Sequence, residues 1–302
     1  MKSTEMGHLI TAAMTDAGRS GKNNEDRFSI TTYQSDTGDK TPVLLAVLAD
    51  GIGGHRAGEI AADIVVKRVT EYIAQSREIT PPSILIEAMH LASQEVYSSA
   101  AKDTRLYGMG ATCVCVLIMG DCLYSAAVGD SRIYHMRGKS LQQITIDHTW
   151  VREALDKGLL RPEQVNNHPN AHVIRRYMGS RNPPDVDIRL RLSNNEQDEE
   201  MLGNQGYKLK SGDKIILCSD GLTDLVADHE ILSTYQHMPI QDAMQYLINL
   251  ANQRGGYDNI TIIAIQVPEG IQQTKKKRSW LWGAAGIGFV VFSLLVFKTG
   301  LF

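Results

Sequence analysis

Across residues 1–267 the apolar positions follow two rhythms. Short runs or alternations bounded by Gly, Asp or Asn predict strands near 9–14, 27–33, 43–49, 112–118, 122–128, 131–137, 186–192, 213–218 and 260–267. A spacing of about 3.6 residues predicts three helices. Residues 57–75 place Ile60, Ile64, Val65, Val69, Tyr72 and Ile73 on one broad face. Residues 82–101 do so with Leu85, Ala88, Leu91, Ala92 and Val96, and 240–253 with Ala243, Met244, Leu247, Ile248 and Ala251. These stripes read as core. Strands come in consecutive runs instead of alternating with helices, which predicts an α+β fold of antiparallel sheet covered by helices. The polar stretch 193–206, SNNEQDEEMLGNQG, reads as a solvated insertion.

One segment follows neither rhythm. Residues 280–297, WLWGAAGIGFVVFSLLVF, run for 18 positions without a charge and are apolar on every face. As a helix this segment would span about 27 Å, close to the hydrocarbon core of a bilayer. Trp280 and Trp282 lie at one end, where amphipathic rings favour the interface, and Lys298 at the other could snorkel. The cluster KKKR at 275–278 suits anionic headgroups and keeps its side cytoplasmic. The competing reading is a buried C-terminal helix, which the all-round apolarity disfavours. The chain therefore divides into a domain at 1–267, a basic linker at 268–279, a transmembrane helix at 280–297 and a short tail at 298–302. The N-terminus, MKSTEMGHLI, has no long apolar run of the secretory kind.

Charge sharpens that division. The 302 residues carry a net charge of −3, but residues 275–302 hold +5 and no acid, leaving −8 on residues 1–274. An acidic body argues against a nucleic-acid binder held by phosphate contacts. The four Cys (113, 115, 122 and 218) lie in or beside apolar runs with no CxxC spacing, and read as reduced core residues of a cytosolic domain.

The chemistry lies in single carboxylates, each where a strand gives way to a turn. Glu25 and Asp26 precede FSITTY, Asp50 ends LLAVLA, Asp130 follows AAVG, Asp220 follows IILCS, and Asp258 precedes NITIIAI. One such residue is an ordinary turn former. Several at the ends of core strands can converge on one rim, where they cannot all ionise without a cation. The all-oxygen donor set favours Mg²⁺ or Mn²⁺ over structural Zn²⁺. Gly51 would let its carbonyl approach a metal closely. A two-metal oxygen site suits hydrolysis of phosphate esters.

Together these residues resemble the metal-dependent protein phosphatase family, the protein phosphatase 2C-like serine/threonine phosphatases. The resemblance rests on TDAGRSGKNNED (15–26), LADGIGGHRAGEIAA (48–62), GMGATCVCVLI (108–118), AAVGDSRIY (126–134), DHTWV (147–151), VIRRYMG (173–179), CSDGLTD (218–224) and GYDNITIIAI (256–265), in that order. The DGIGGH form resembles bacterial members. The resemblance implies a four-layer α-β-β-α sandwich of two antiparallel sheets, with two Mn²⁺ or Mg²⁺ ions at one end and a third, weaker ion. It implies that Asp50 bridges the two metals, that the Gly51 carbonyl binds one, and that Asp220 and Asp258 hold the first. Glu25 would serve the second, mainly through water, with Asp26 in support, and Asp130 with Asp220 would recruit the third. Asn259 and Thr261 would brace the Asp258 turn, and 150–180 would form a flap beside the site. The implied reaction is direct attack of a metal-bridging hydroxide on phosphoserine or phosphothreonine in proteins.

One position departs from the family pattern. Where the family carries a phosphate-gripping Arg, three residues after Gly18, this chain has Gly21. Arg19, two residues back and on the same face of a regular strand, is the expected replacement. His55 in DGIGGH is a candidate general acid or a brace for the following helix, and His148 reads as structural. The leading expectation is thus a monomeric phosphatase domain tethered to the cytoplasmic face of a bacterial inner membrane. It would act on phosphoproteins, with a membrane-bound Ser/Thr kinase as a candidate partner. The alternatives are a catalytically silent docking or regulatory module and a hydrolase of small phosphate esters.

Overall fold

The computed structural model describes residues 2–4, 7–35, 40–53, 57–76, 80–165 and 168–270, all within one unit, Met1–Gly270. In chain order the elements are β1 (Lys2–Ser3), β2 (Ile10–Asp16), β3 (Arg27–Gln34), β4 (Pro42–Ala49), β5 (Gly51–Ile52), α1 (Ala57–Gln75) and α2 (Ser83–Lys102). Next come β6 (Gly110–Ala111), β7 (Cys113–Met119), β8 (Cys122–Val128), β9 (Arg132–Arg137), β10 (Ser140–Gln143), α3 (Trp150–Asp156) and α4 (Asp198–Gly203). The last are β11 (Tyr207–Lys208), β12 (Lys214–Cys218), α5 (Asp220–Thr223), α6 (Asp228–His237), α7 (Ile240–Gln253) and β13 (Ile260–Gln266).

The strands form two antiparallel sheets, ordered β1-β3-β4-β7-β8-β11 and β10-β9-β12-β13-β2, plus a small β5–β6 ladder. Side-chain alternation along β4 shows how they stack. Leu44, Ala46 and Leu48 face a core shared with Ile215, Leu217, Ile263 and Ile265 of the other sheet. Val43, Leu45, Val47 and Ala49 face the opposite way, into a core made with α1 and α2. On the far side, Ile216, Cys218, Ile262 and Ala264 pack under α6 and α7. The result is the four-layer α-β-β-α sandwich. With both faces covered, β4 needs an unbroken apolar run instead of alternation, and 43–49 supplies one.

Three sequence expectations change. Residues 186–192 are not a strand: their backbone partners are scattered among Ala127, Met201 and Ile144. The Asp187 carboxylate there is taken by Arg189 and His148. The stretch 193–206 is not a solvated insertion. It holds α4, buries Met201, and docks Gln205 on the Ser125 backbone through bonds of 3.1 and 2.9 Å. On α1 the stripe is rotated: Ala57, Gly58, Ala61 and Ala62 are buried with Val65, Val69 and Ile73, whereas Ile60 is exposed. Among the described residues no helix is long and apolar enough to cross a membrane. The expected transmembrane helix at 280–297, the tail at 298–302 and most of the linker lie outside the described residues, as does His55.

Register fixes the two poles of the sandwich. Arg27 pairs with Ala49, Cys113 with Val128, Cys218 with Ile262, and Ile260 with Asp16, so these strand ends share one pole. Lys2 pairs with Gln34 and Ile10 with Gln266 at the opposite pole.

Candidate active site

That shared pole gathers the predicted carboxylates. Glu25 and Asp26 enter β3, and Asp50 leaves β4 beside them. Asp130 sits on the turn from β8 to β9, where the chain passes from one sheet to the other. Asp220 opens α5 directly after β12, and Asp258 stands two residues before β13.

Neutral side chains hold them in place. The Asn259 side chain accepts from the Glu25 N–H (2.8 Å) and donates to the Ala17 carbonyl (3.0 Å), while its own N–H donates to Asp258 Oδ1 (2.9 Å). The Ser219 hydroxyl donates to Asp26 Oδ2 (2.8 Å) and accepts the Thr261 N–H (2.9 Å). Thr261 Oγ1 lies 2.7 Å from Thr15 Oγ1, tying β13 to β2. The Asp50 N–H donates to Thr112 Oγ1 (3.0 Å), and the Thr112 N–H returns to the Asp50 carbonyl (2.8 Å). Asn259 is thus bonded to Asp258 and Glu25, whereas Thr261 bonds to Thr15 and Ser219. Gly51 has a packing reason as well as a chemical one. A Cβ there would drive into the backbone of Gly58, and a Cβ on Gly58 would meet Glu25 Oε2 at 2.8 Å. The first turn of α1 can thus press against the loop that follows Asp50.

The electrostatics demand a cation. Burial, then the charges of Asp26, Asp220, Asp130 and Asp258, push the Asp50 carboxyl well above its ordinary value. Asp220 is pushed up likewise, by burial and then by Asp130, Asp224, Asp258 and Asp26. Burial raises Asp26 to about 6 against the hydrogen bonds of Thr261 and Ser219. Asp130 rises to about 7, through burial and then Asp147. Glu25 is raised by burial and then by Asp258. Buried oxygens of Glu25, Asp26 and Asp130 have no hydrogen-bond partner. Buried acceptors without donors are costly, and like charges at close quarters need neutralising. Among the described residues no three of these side chains already close on one ion. Divalent ions that keep several waters and take one or two carboxylates each suit such a set.

The argument for Arg19 from strand period fails, because β2 ends at Asp16 and residues 17–26 are irregular. Gly21 has φ +76° with open space where a side chain would project. Arg19 is exposed, its N–H donating to the Gly256 carbonyl at 2.7 Å. His148 is structural: its Nδ1 accepts the Gly129 N–H (3.1 Å) and its Nε2 faces Asp187 (3.3 Å). Cys113, Cys115 and Cys218 are buried free thiols and Cys122 is half-buried. The flap segment is pinned at its base by bonds from the Trp150 N–H to Val173 and from the Arg175 N–H to His148. Ser219, Thr112 and Asp224 escaped sequence reasoning. Ser219 and Thr112 are neutral, so only register reveals them. Asp224 was signalled by its spacing of four from Asp220 in CSDGLTD.

The comparisons agree with this architecture. A family model described as Protein phosphatase 2C matches residues 15–258. The Serine/threonine protein phosphatase PstP of Mycobacterium tuberculosis is 31% identical over 260 residues, 86% of this chain and 45% of the relative. This chain thus spans about half the length of that relative. The solved structure of the S. agalactiae serine/threonine phosphatase superposes with a TM-score of 0.73 at 31% identity, covering 86% of this chain and 99% of that one. The catalytic domain of PstP in complex with two manganese ions gives 0.69 at 30% identity, over 86% and 99% of the two chains. With its eight ordered motifs, its paired sheets and the family match over most of its length, the chain belongs to the protein phosphatase 2C family.

Proposed function

We propose that this chain hydrolyses phosphoserine and phosphothreonine in proteins, using two Mn²⁺ or Mg²⁺ ions held by the carboxylate pole. One observation carries the reading. Carboxylates from separate strand ends converge there, and oxygens of Glu25, Asp26 and Asp130 are buried without a hydrogen-bond partner. The two manganese ions in the PstP catalytic domain support the same reading. Asp50 and the Gly51 carbonyl would both be ligands for such ions. Asp220 and Asp258 would hold one ion, Glu25 and Asp26 the other, and Asp130 with Asp220 a third, weaker one. Such ions, when bound, would supply Lewis-acid activation of a water nucleophile and charge stabilisation for in-line displacement at phosphorus. The protein's own contribution is to hold the carboxylates apart and fixed, through Asn259, Ser219, Thr261 and Thr112. Arg19, exposed on the irregular segment that leads to Glu25 and held through its N–H on Gly256, would be a candidate grip for the substrate phosphate.

Hydrolysis of p-nitrophenyl phosphate should require Mn²⁺ or Mg²⁺ and vanish in Asp220→Asn. Arg19→Ala should raise KM for a phosphothreonine peptide, and an unchanged KM would remove Arg19 from the site. A second reading, a silent docking or regulatory module, is favoured by one observation, the bare Gly21 where the family carries its phosphate-binding Arg. No turnover at any divalent-metal concentration would decide for it.

The charge-free segment 280–297 behind the basic cluster 275–278 supports a single-pass anchor with the domain on the cytoplasmic side. Tethering would concentrate the enzyme on membrane-associated phosphoproteins, including a Ser/Thr kinase. The full chain should sediment with membranes, and residues 1–274 should stay in the supernatant.

A further inference from the structure

Three large side chains left exposed, Tyr97 (39%), Tyr107 (88%) and Tyr177 (39%), share one hollow of about 290 Å³ near the end of α2. Ala100 and Ala101 add to its apolar lining, and Arg181 is the one charge on it. The backbone around the hollow is fixed. Asp103 accepts the Arg105 N–H (3.0 Å) and pairs with its guanidinium (2.6 Å), and the Tyr107 N–H donates to the Thr104 carbonyl (3.3 Å). The turn that presents Tyr107 is thereby closed on itself. On the other wall the Gly179 N–H donates to Ser93 Oγ of α2 (2.9 Å). A Cβ on Gly110 would stand 2.8 Å from Tyr177 Cδ2, so the glycine makes room for that ring.

Backbone pairing joins the hollow to the carboxylate pole. Ala111 pairs with Gly51 on one side and with Met178 on the other, the second pair exchanging bonds of 3.2 and 2.8 Å. Two strand spacings, about 10 Å, thus separate the Met178 backbone from Gly51. An extended segment covers that distance in about three residues. Exposed apolar side chains gathered in one patch mark a contact surface, whereas single ones do not. Tyrosine rings on a fixed backbone bury apolar area at little cost in side-chain entropy. Among the described residues no acid lines the hollow, and Arg181 repels a cation, so what the hollow can bury is an apolar group.

We propose that this hollow seats an apolar side chain, leucine or phenylalanine, carried by the phosphoprotein about three residues from its phosphoresidue. The inference rests on the phosphatase reading and names the sequence class that the enzyme selects. The carboxylate pole takes the phosphoryl group, and Tyr97, Tyr107 and Tyr177 close around the flanking side chain. A leucine half-buried among them predicts a preference of about ten-fold over a polar side chain of similar shape. The gain comes from apolar area and not from charge, so it should hold as ionic strength rises.

The test uses the full chain with Mn²⁺ and pairs of phosphothreonine peptides that differ only by leucine or its near-isostere asparagine, scanned across the flanking positions. About three residues from the phosphothreonine, leucine should raise kcat/KM about ten-fold, at low and high salt alike. That ratio should shrink in Tyr107→Ala and fall to about one in Tyr97→Ala/Tyr107→Ala. Tyr107 is 88% exposed, so its ring can be removed without opening the core, and a ratio on one protein cancels any general loss of turnover. Fluorescence anisotropy with the same peptides carrying a non-hydrolysable phosphonate reads recognition without turnover. Tighter binding of the leucine peptide with no turnover of any peptide would sink the phosphatase reading and leave the hollow standing. Turnover with equal kcat/KM and equal binding for leucine and asparagine at every position would overturn the hollow alone. So would a preference that survives the double variant, one for lysine, or a dimer of the chain that the double variant dissolves, which would make the hollow a contact between copies.

Discussion

Ser219 shows how much a neutral side chain carries at a charged site. One hydroxyl donates to the Asp26 carboxylate and accepts the Thr261 amide, both out of reach of water. In Ser219→Ala two buried polar groups lose their partner, which should cost about 1–3 kcal/mol in a urea melt. Asp26 would also hold its proton more tightly, so the Mn²⁺ concentration for half-maximal activity should rise. An unchanged melt and metal titration would show that water replaces the hydroxyl. Legibility divides along the same line. Carboxylates at strand ends advertise themselves by charge and by the Gly or Asn that follows. Ser219 and Thr112 act through register, bonding across strands distant in sequence, and no local pattern marks them. The strand-period argument for Arg19 failed for a related reason. The two-residue period that put it on the face of position 21 applies only inside a strand, and β2 stops at Asp16.

At the scale of the elements, long periodic segments were read to within a residue or two: α7 was expected at 240–253 and occupies Ile240–Gln253. Helices of four to ten residues, α3 to α6, were missed because two turns do not establish a period. α1 is the instructive case. Large apolar residues made Ile60 look buried, but the face against the loop must be small, because Gly51 and Gly58 leave no room for a Cβ. The helix therefore turns its Ala57, Ala61 and Ala62 side inward. Ile73→Ala, at a fully buried position, should destabilise by about 2–5 kcal/mol. Ile60→Ala, 37% exposed, should cost about 0.5 kcal/mol or less. Comparable losses in thermal melts would mean that the sequence stripe, not the observed one, faces the core.

For the molecule as a whole, the carboxylate pole makes stability depend on pH and metal together. Asp26 and Asp130 titrate near 6 and 7 in the folded protein, against an ordinary 3.8. Between about pH 4 and 7 the metal-free fold thus binds more protons than the unfolded chain, and its stability falls as pH rises through that window. Asp187 and Asp213, held low against burial by His148 with Arg189 and by Arg137 with His135, stay ionised throughout and do not offset it. In EDTA, Tm should be lower at pH 8 than at pH 5, and saturating Mn²⁺ should raise it more at pH 8. A Tm in EDTA that is level across this range would contradict the assignment. A separate consequence follows from β13, which begins beside Asp258 and ends at Gln266, seven residues and about 23 Å along the sheet. The strand is a built-in standoff: a join made after Gly270 starts from the pole opposite the carboxylates. Coupling the protein to a bead through residues beyond 270 should therefore leave kcat/KM for a phosphopeptide undiminished. Coupling through an engineered cysteine at Ser20, beside the pole, should suppress it.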